Sequence, residues 1–153
     1  MTQLVFRPAT ADDLPHIVAL LADDAIGSAR ETLGDAVSRD YLQAFEAVSQ
    51  DRNQLLAVVE DEGRVIGTLQ LSFIPGLSRG GAWRGQIEAV RVASDRRGEG
   101  IGQAFLEWAI ATCRERGCTL VQLTTDKRRL DAHRFYDRMG FVPSHIGYKL
   151  QLS

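Results

Sequence analysis

The chain predicts an α/β domain in which helices pack against one mixed β-sheet. Three observations carry this. Two apolar strand patterns flank the turn Asp61-Glu62-Gly63-Arg64 and read as a hairpin. A third strand pattern, residues 86–92, runs into a glycine-rich turn and then a strongly apolar helix over 101–116. Taken along the whole chain, strands and helices follow the order β-α-α-β-β-β-α-β-α-β.

Each element has its own signal. Leu4-Val5-Phe6-Arg7 reads as a short first strand. Thr10-Ala11-Asp12-Asp13 has the form of a capping box with Asp in place of Glu, Thr10 capping and Asp13 standing at N3. Leu14, Ile17, Val18 and Leu21 then repeat at helical spacing, and a second helix is predicted over 37–48. Residues 55–60 form a strand by length and composition, and Val65, Gly67, Leu69, Leu71 and Phe73 alternate along its hairpin partner. Residues 75–85 form a loop rich in glycine. After the long helix, Leu120-Val121-Gln122-Leu123 is a strand, and residues 132–139 form a short helix closed by Gly140. Ile146, Tyr148, Leu150 and Leu152 alternate on a predicted last strand.

A length of 153 residues predicts a single domain over 1–153 with interior enough for a core. No apolar run is long enough to span a bilayer, and the first ten residues lack a signal-peptide pattern. A cytoplasmic protein without a membrane partner is the expectation. Cys113 falls on the long helix and Cys118 at the start of the next strand, where buried, reduced cysteines are expected. His16, His133 and His145 lack metal-ligand spacing, so no metal is expected. The net charge of −2 is unevenly spread: residues 1–62 carry 12 acidic and 4 basic side chains, whereas residues 91–138 carry 7 and 10. A local basic surface suits a polyphosphate ligand but falls short of the broad basic face of a nucleic-acid binder.

The basic region surrounds the most informative segment, Arg96-Arg97-Gly98-Glu99-Gly100-Ile101-Gly102. Glycines between a strand and a helix N-terminus let backbone N–H groups approach a phosphate, and the helix dipole favours the negative charge. A nucleoside-triphosphate loop would end in Gly-Lys-Ser/Thr, but Gly102 is followed by Gln103 and Ala104. A dinucleotide fold would place its glycines after the first strand of a βαβ unit, whereas this turn comes late in the chain.

The pattern Arg97-x-x-Gly100-x-Gly102, after Ile87-Glu88-Ala89-Val90-Arg91-Val92, resembles the acetyl-CoA motif of the GNAT superfamily of N-acetyltransferases. About 40 residues downstream, Ala132-His133-Arg134-Phe135-Tyr136-Asp137-Arg138-Met139-Gly140-Phe141 resembles the second GNAT signature. The resemblance implies a mostly antiparallel sheet with a splayed parallel pair and helices on both faces. Within the superfamily, Thr124-Thr125-Asp126-Lys127, Asp131 to Tyr136 and Ser144-His145 resemble the aminoalkylphosphonate N-acetyltransferases, mainly over the last third.

Acetyl-CoA is the co-substrate that this resemblance implies. Its pyrophosphate would lie on backbone N–H groups of Arg97, Gly98, Glu99, Gly100, Ile101 and Gly102, with Arg96 and Arg97 either adding charge or standing as solvated surface residues. Its pantetheine arm would pair with Val90, Arg91 and Val92. Tyr136 matches the family's tyrosine near the thioester sulfur. A thiol has a reference pKa of about 8.5 and a tyrosine about 10, so full proton transfer is uphill by roughly 2 kcal/mol, and hydrogen-bond stabilisation of the sulfur is the favoured role. Glu88 stands where some family members carry a glutamate base. A glutamate's reference pKa is about 4.3 and an alkylammonium's about 10.4, which makes direct transfer uphill by roughly 8 kcal/mol. Glu88 therefore acts as base, through a water relay, or by orienting the ammonium or pairing with Arg91. Gln86 and Asp126 are lesser candidates. Many relatives carry an asparagine three residues before the alanine of the second motif, and Arg129 stands there in this chain.

Two function classes follow. One is an enzyme moving an acetyl group directly from acetyl-CoA to a small-molecule amine, or to a protein N-terminus, without an acyl-enzyme on Cys113. The other is a non-catalytic acyl-CoA-binding regulatory module. Asp35, Asp40 and Glu46 favour a cationic acceptor, and Arg79, Arg84 and Lys127 an acidic one, so the acceptor stays open. The alternation of the last strand permits a homodimer.

Overall fold

The computed structural model describes residues 3–31, 34 and 37–153, so Asp35 lies outside the described residues. The backbone groups into two compact units, Met1–Gln122 and Leu123–Ser153. The first is built on a five-stranded sheet whose spatial order is its chain order: β1 (Leu4–Pro8), β2 (Gln54–Asp61), β3 (Arg64–Ile74), β4 (Trp83–Val92) and β5 (Cys118–Leu123). The first four strands pair antiparallel, and β4 and β5 are parallel. Helices α1 (Leu14–Ala22), α2 (Ala25–Arg30) and α3 (Arg39–Gln50) lie between β1 and β2; α4 (Ser78–Gly81) is a single turn before β4; α5 (Ile101–Glu115) joins β4 to β5. The second unit holds α6 (Leu130–Arg138).

The predicted hairpin turn forms with Glu62 at φ 50° and Gly63 at φ 80°, the two left-handed residues of a tight primed turn whose twist matches the flanking strands. Helix α2 escaped prediction because six residues are too short to show a period. Strand β4 starts at Trp83 rather than at residue 86. Gly85 read as a loop glycine, but it is a packing glycine: a Cβ there would overlap Cys113 Sγ and lie 3.2 Å from Cys113 Cβ. The predicted last strand does not form. Residues 141–153 contain no helix or strand, and Ile146, Tyr148, Leu150 and Leu152 stand 73–90% exposed. Alternation supplies an apolar face, but a strand also needs a hydrogen-bonding neighbour.

The core is where α5 meets the sheet. Phe105, Leu106, Ala109 and Cys113 recur at helical spacing on α5 and are completely buried, as are Val58, Ile66, Leu69 and Leu71 on β2 and β3. Phe105 also stacks on Phe6 at 5.7 Å, and Phe6 on Trp108 at 5.9 Å, which ties β1 to the same helix. Both cysteines are free and buried, as expected. Burial pushes the Cys113 thiol up to about 11, so it stays a neutral packing group.

Ahead of α1, Asp13 reaches back as the sequence predicts and accepts from the Thr10 backbone N–H at 2.7 Å. It also takes Arg7 Nη1 at 2.7 Å, while Arg7 Nη2 donates to Glu60 at 2.8 Å. Arg7 thereby ties the start of α1 to β2. The Arg7 hydrogen bond is the main reason the Asp13 carboxyl is held at about 2. The unfolded reference is about 3.9, so this stabilisation is complete above about pH 4 and is lost as pH falls towards about 2.

Two outcomes test these contacts. Gly85→Ala should lower unfolding stability by about 1–3 kcal/mol in urea titrations, and Cys113→Ala in the same chain should recover part of the loss. Asp13→Asn should cost about 2 kcal/mol at pH 7 and flatten the decline in stability between about pH 4 and pH 2.

Candidate active site

The middle of β4 is irregular. Thr68 pairs with Arg91 and Gln70 with Glu88, so the single residue Leu69 on β3 faces two residues, Ala89 and Val90, on β4. This is a β-bulge, and Ala89 adopts φ 55° within it, a left-handed conformation unusual for a residue with a Cβ. The extra residue breaks the alternation of the strand, so that Glu88 and Ala89 are both exposed, between buried Ile87 and half-buried Val90. Glu88 forms no side-chain hydrogen bond or ion pair with any described residue. Arg84 and Gln86 precede it on the same side of the strand, and Gln122 Nε2 on β5 donates to Gln86 Oε1 at 3.0 Å.

Beyond β4 the chain turns through Gly98 (φ 83°) and Gly100 (φ 81°) into α5. Gly100 is the N-cap and contributes only its carbonyl, which accepts from Ala104 at 3.1 Å. No side chain caps this helix, so the first-turn N–H groups of Ile101, Gly102 and Gln103 lack intrahelical acceptors. Residues 97–100 are exposed, whereas Ile101 is buried and anchors the turn to the core. The result is an exposed row of N–H groups at the positive end of a fifteen-residue helix, the geometry that accepts a phosphate.

Arg96 is not a solvated surface residue. It is 16% exposed, donating to Asp61 at 2.9 Å and to Glu99 at 3.0 Å. Asp61 is itself 7% exposed, so Arg96 neutralises a buried carboxylate and pins the glycine turn to the end of β2. Arg91 lies 3.6 Å from Asp24 at the start of α2, and no ion pair joins it to Glu88. Arg91 Nη1 donates to the Val90 carbonyl at 2.9 Å, and Arg97 Nε to that of Val92 at 3.4 Å. Arg97 is exposed and its second contact, to the Asp23 carbonyl, is 3.5 Å long, so it is the loosely held arginine of the turn.

In the second unit, Tyr136 lies half-buried on α6 between Phe135, at a ring separation of 5.3 Å, and Phe141, at 5.8 Å. His133 is more than a surface helix residue, since its Nε2 lies 2.9 Å from the Asp126 carbonyl oxygen and braces the loop before α6. Arg128 grips both Asp126 carboxylate oxygens, holding that carboxyl well below the usual range and making it a poor base. Arg129 stands at the N-cap of α6. Among the described residues, no three His, Cys, Asp or Glu side chains group as metal ligands, and no helix is long and apolar enough to cross a membrane.

The strand, the glycine turn and the Phe-Tyr helix of the two sequence motifs are all present, the bulge being an addition of the structure, and comparison with known proteins decides the family. The model of the acetyltransferase (GNAT) family matches residues 14–141. The chain belongs to the GNAT acetyltransferase family. It is 32% identical over 142 residues to the aminoalkylphosphonate N-acetyltransferase of Salmonella typhimurium, covering 93% of this chain and 87% of that protein. The likeness thus extends well beyond the last third. It is 29% identical over 140 residues to the glucosamine 6-phosphate N-acetyltransferase of Trypanosoma brucei brucei, covering 87% and 93%. Among solved structures, one described as a transcriptional regulator from Bacillus halodurans C-125 superposes with a TM-score of 0.95 at 43% identity, covering 98% of this chain and all of that one.

Two features of this GNAT site were not visible in sequence. Ala89 carries no signal for a left-handed conformation, and the partners of Arg91 and Arg96 lie 67 and 35 residues away. The second pairing is directly measurable. Arg96→Ala should lower the denaturant midpoint, because it strands the Asp61 carboxylate, and Asp61→Asn in the same chain should restore part of that.

Proposed function

We propose that this protein transfers the acetyl group of acetyl-CoA to the amine of a small molecule that also carries a phosphonate or phosphate. The observation that carries the reading is the bulged strand β4 running into the uncapped glycine turn of α5, within a chain that matches the GNAT family over residues 14–141. The pyrophosphate lies on the N–H groups from Arg97 to Gly102. The pantetheine arm pairs beside Val90, Arg91 and Val92, where the bulge interrupts regular pairing. Both curated relatives described above are named for acceptors that join an amine to a phosphorus oxyanion. Arg84, on the same side of β4 as Glu88, offers such an acceptor a cation.

The amine nitrogen attacks the thioester carbonyl carbon, the C–S bond breaks, and the products are an amide and CoA. The nitrogen gives up one proton and the sulfur gains one. Glu88, exposed and without an ion-pair partner, holds the incoming ammonium and receives its proton through water. Tyr136 hydrogen-bonds the departing sulfur. Cys113 stays out of the chemistry, because its thiol is buried and held neutral.

A second reading has one observation behind it. The Bacillus halodurans structure is described as a transcriptional regulator, which favours a regulatory module that binds acyl-CoA without turning it over. Tyr136→Phe separates the two. In an enzyme it lowers kcat by about 10- to 10³-fold and leaves acetyl-CoA affinity unchanged, measured by thiol release and by calorimetry. If the native protein releases no CoA with any aminophosphonate, amino sugar phosphate or other amine, the catalytic reading fails.

A further inference from the structure

Gly67 of β3 and Gly85 of β4 face α5: a Cβ on Gly67 would lie 3.7 Å from Phe105 Cδ2, and one on Gly85 would overlap Cys113 Sγ. Strand alternation turns Gln70 and Ser72 of β3, and Gln86 and Glu88 of β4, to the opposite face of the sheet. Gln70 stands directly opposite Glu88, and Ser72 stands between Gln54 of β2 and Gln86. Hydrogen bonds orient the amides in this row. Gln54 Oε1 accepts from Gln70 Nε2 at 3.0 Å and from Ser72 Oγ at 2.9 Å. Gln86 Oε1 accepts from Gln122 Nε2 at 3.0 Å. The two key amides therefore point opposite ends outward. With Nε2 engaged by Gln54, Gln70 presents its carbonyl Oε1 beside the Glu88 carboxylate, and no described residue donates to either. With Oε1 engaged by Gln122, Gln86 presents the two N–H donors of Nε2, which no described residue accepts.

From this we infer that Gln70 and Gln86 set the specificity for the acceptor: Gln70 Oε1 shares the ammonium with Glu88, and Gln86 Nε2 donates to the phosphorus oxyanion of the same molecule. An ammonium carries only donors and an ionised oxyanion only acceptors, so each end meets its complement and neither fits the other's place. Directly opposite side chains on an antiparallel pair stand about 5 Å apart at Cβ, close enough for Glu88 and Gln70 to grip one nitrogen. Side chains two residues apart along a strand stand roughly 7 Å apart, so Gln86 reaches an oxyanion joined to that nitrogen by a short spacer, about two or three carbons long. Gln54, Ser72 and Gln122 act through the two amides and are positioning residues. The inference rests on the acetyl-transfer reading for naming the amine as the reacting end, but its content is binding, which needs no turnover.

Calorimetric titration of the full chain saturated with CoA tests it, using 2-aminoethylphosphonate and, as an amine without the oxyanion, propylamine. The native protein should prefer the phosphonate by about 10-fold or more. Gln70→Leu should weaken phosphonate binding by about 10-fold, and Gln70→Glu, which keeps an acceptor oxygen beside Glu88, should restore it. Gln86→Leu should cut the native preference for phosphonate over propylamine by about 10-fold. A native protein that does not bind the phosphonate, or binds it no better than propylamine, overturns the inference. So does equal loss in Gln70→Leu and Gln70→Glu, the mark of a structural role, or a native preference that survives Gln86→Leu. Binding that follows the expected pattern in a protein that releases no CoA from acetyl-CoA supports this inference and overturns the acetyl-transfer reading alone.

Discussion

The seating of α5 on the sheet is the contact on which the candidate site depends. Phe105, Leu106, Ala109 and Cys113 bury one stripe of the helix, and Phe105 reaches across to Phe6 on β1. Ile101, at the first turn, belongs to the same buried stripe. A helix held along its length by such side chains has a fixed N-terminus, and the glycine turn inherits that position. Gly85 on β4 belongs to this arrangement, because the missing side chain is what lets Cys113 approach the strand.

Electrostatics complete what packing begins. Arg96 joins the turn to Asp61 and Glu99, Arg91 lies beside Asp24, and Arg7 joins the start of α1 to Glu60 through Asp13. Two of these three arginines come from the segment that reads in sequence as a basic patch for phosphate. Asp24 and Asp61 among their partners are carboxylates of the acidic N-terminal part, so a share of the charge asymmetry along the chain is structural pairing. Arg97 stays loosely held and exposed, and it is the arginine of the turn best placed to meet an anion.

The bulge in β4 links fold to chemistry. Placing Ala89 in a left-handed conformation costs energy that the surrounding sheet must supply. In return the strand changes phase: Glu88 and Ala89 both face solvent, and pairing with β3 is interrupted beside Val90. A regular strand would alternate these residues and would offer no such break.

Much of this was legible in the sequence. Local patterns determined the hairpin at Glu62-Gly63, the capping contact of Asp13, the long helix and the glycine turn, because each depends on neighbours within a few residues. The two motifs around Gly100 and Tyr136 determined the family, because their residue types and spacing carry it without reference to contacts. Tertiary structure alone decided the rest. It showed that Gly85 is a packing residue, that Arg96 serves a buried carboxylate, and that Ala89 bends its strand. The segment at 146–152 shows the difference most directly. Its alternation gave it a strand's apolar face, but a strand exists only where a second backbone accepts its hydrogen bonds, and no sequence window contains that partner.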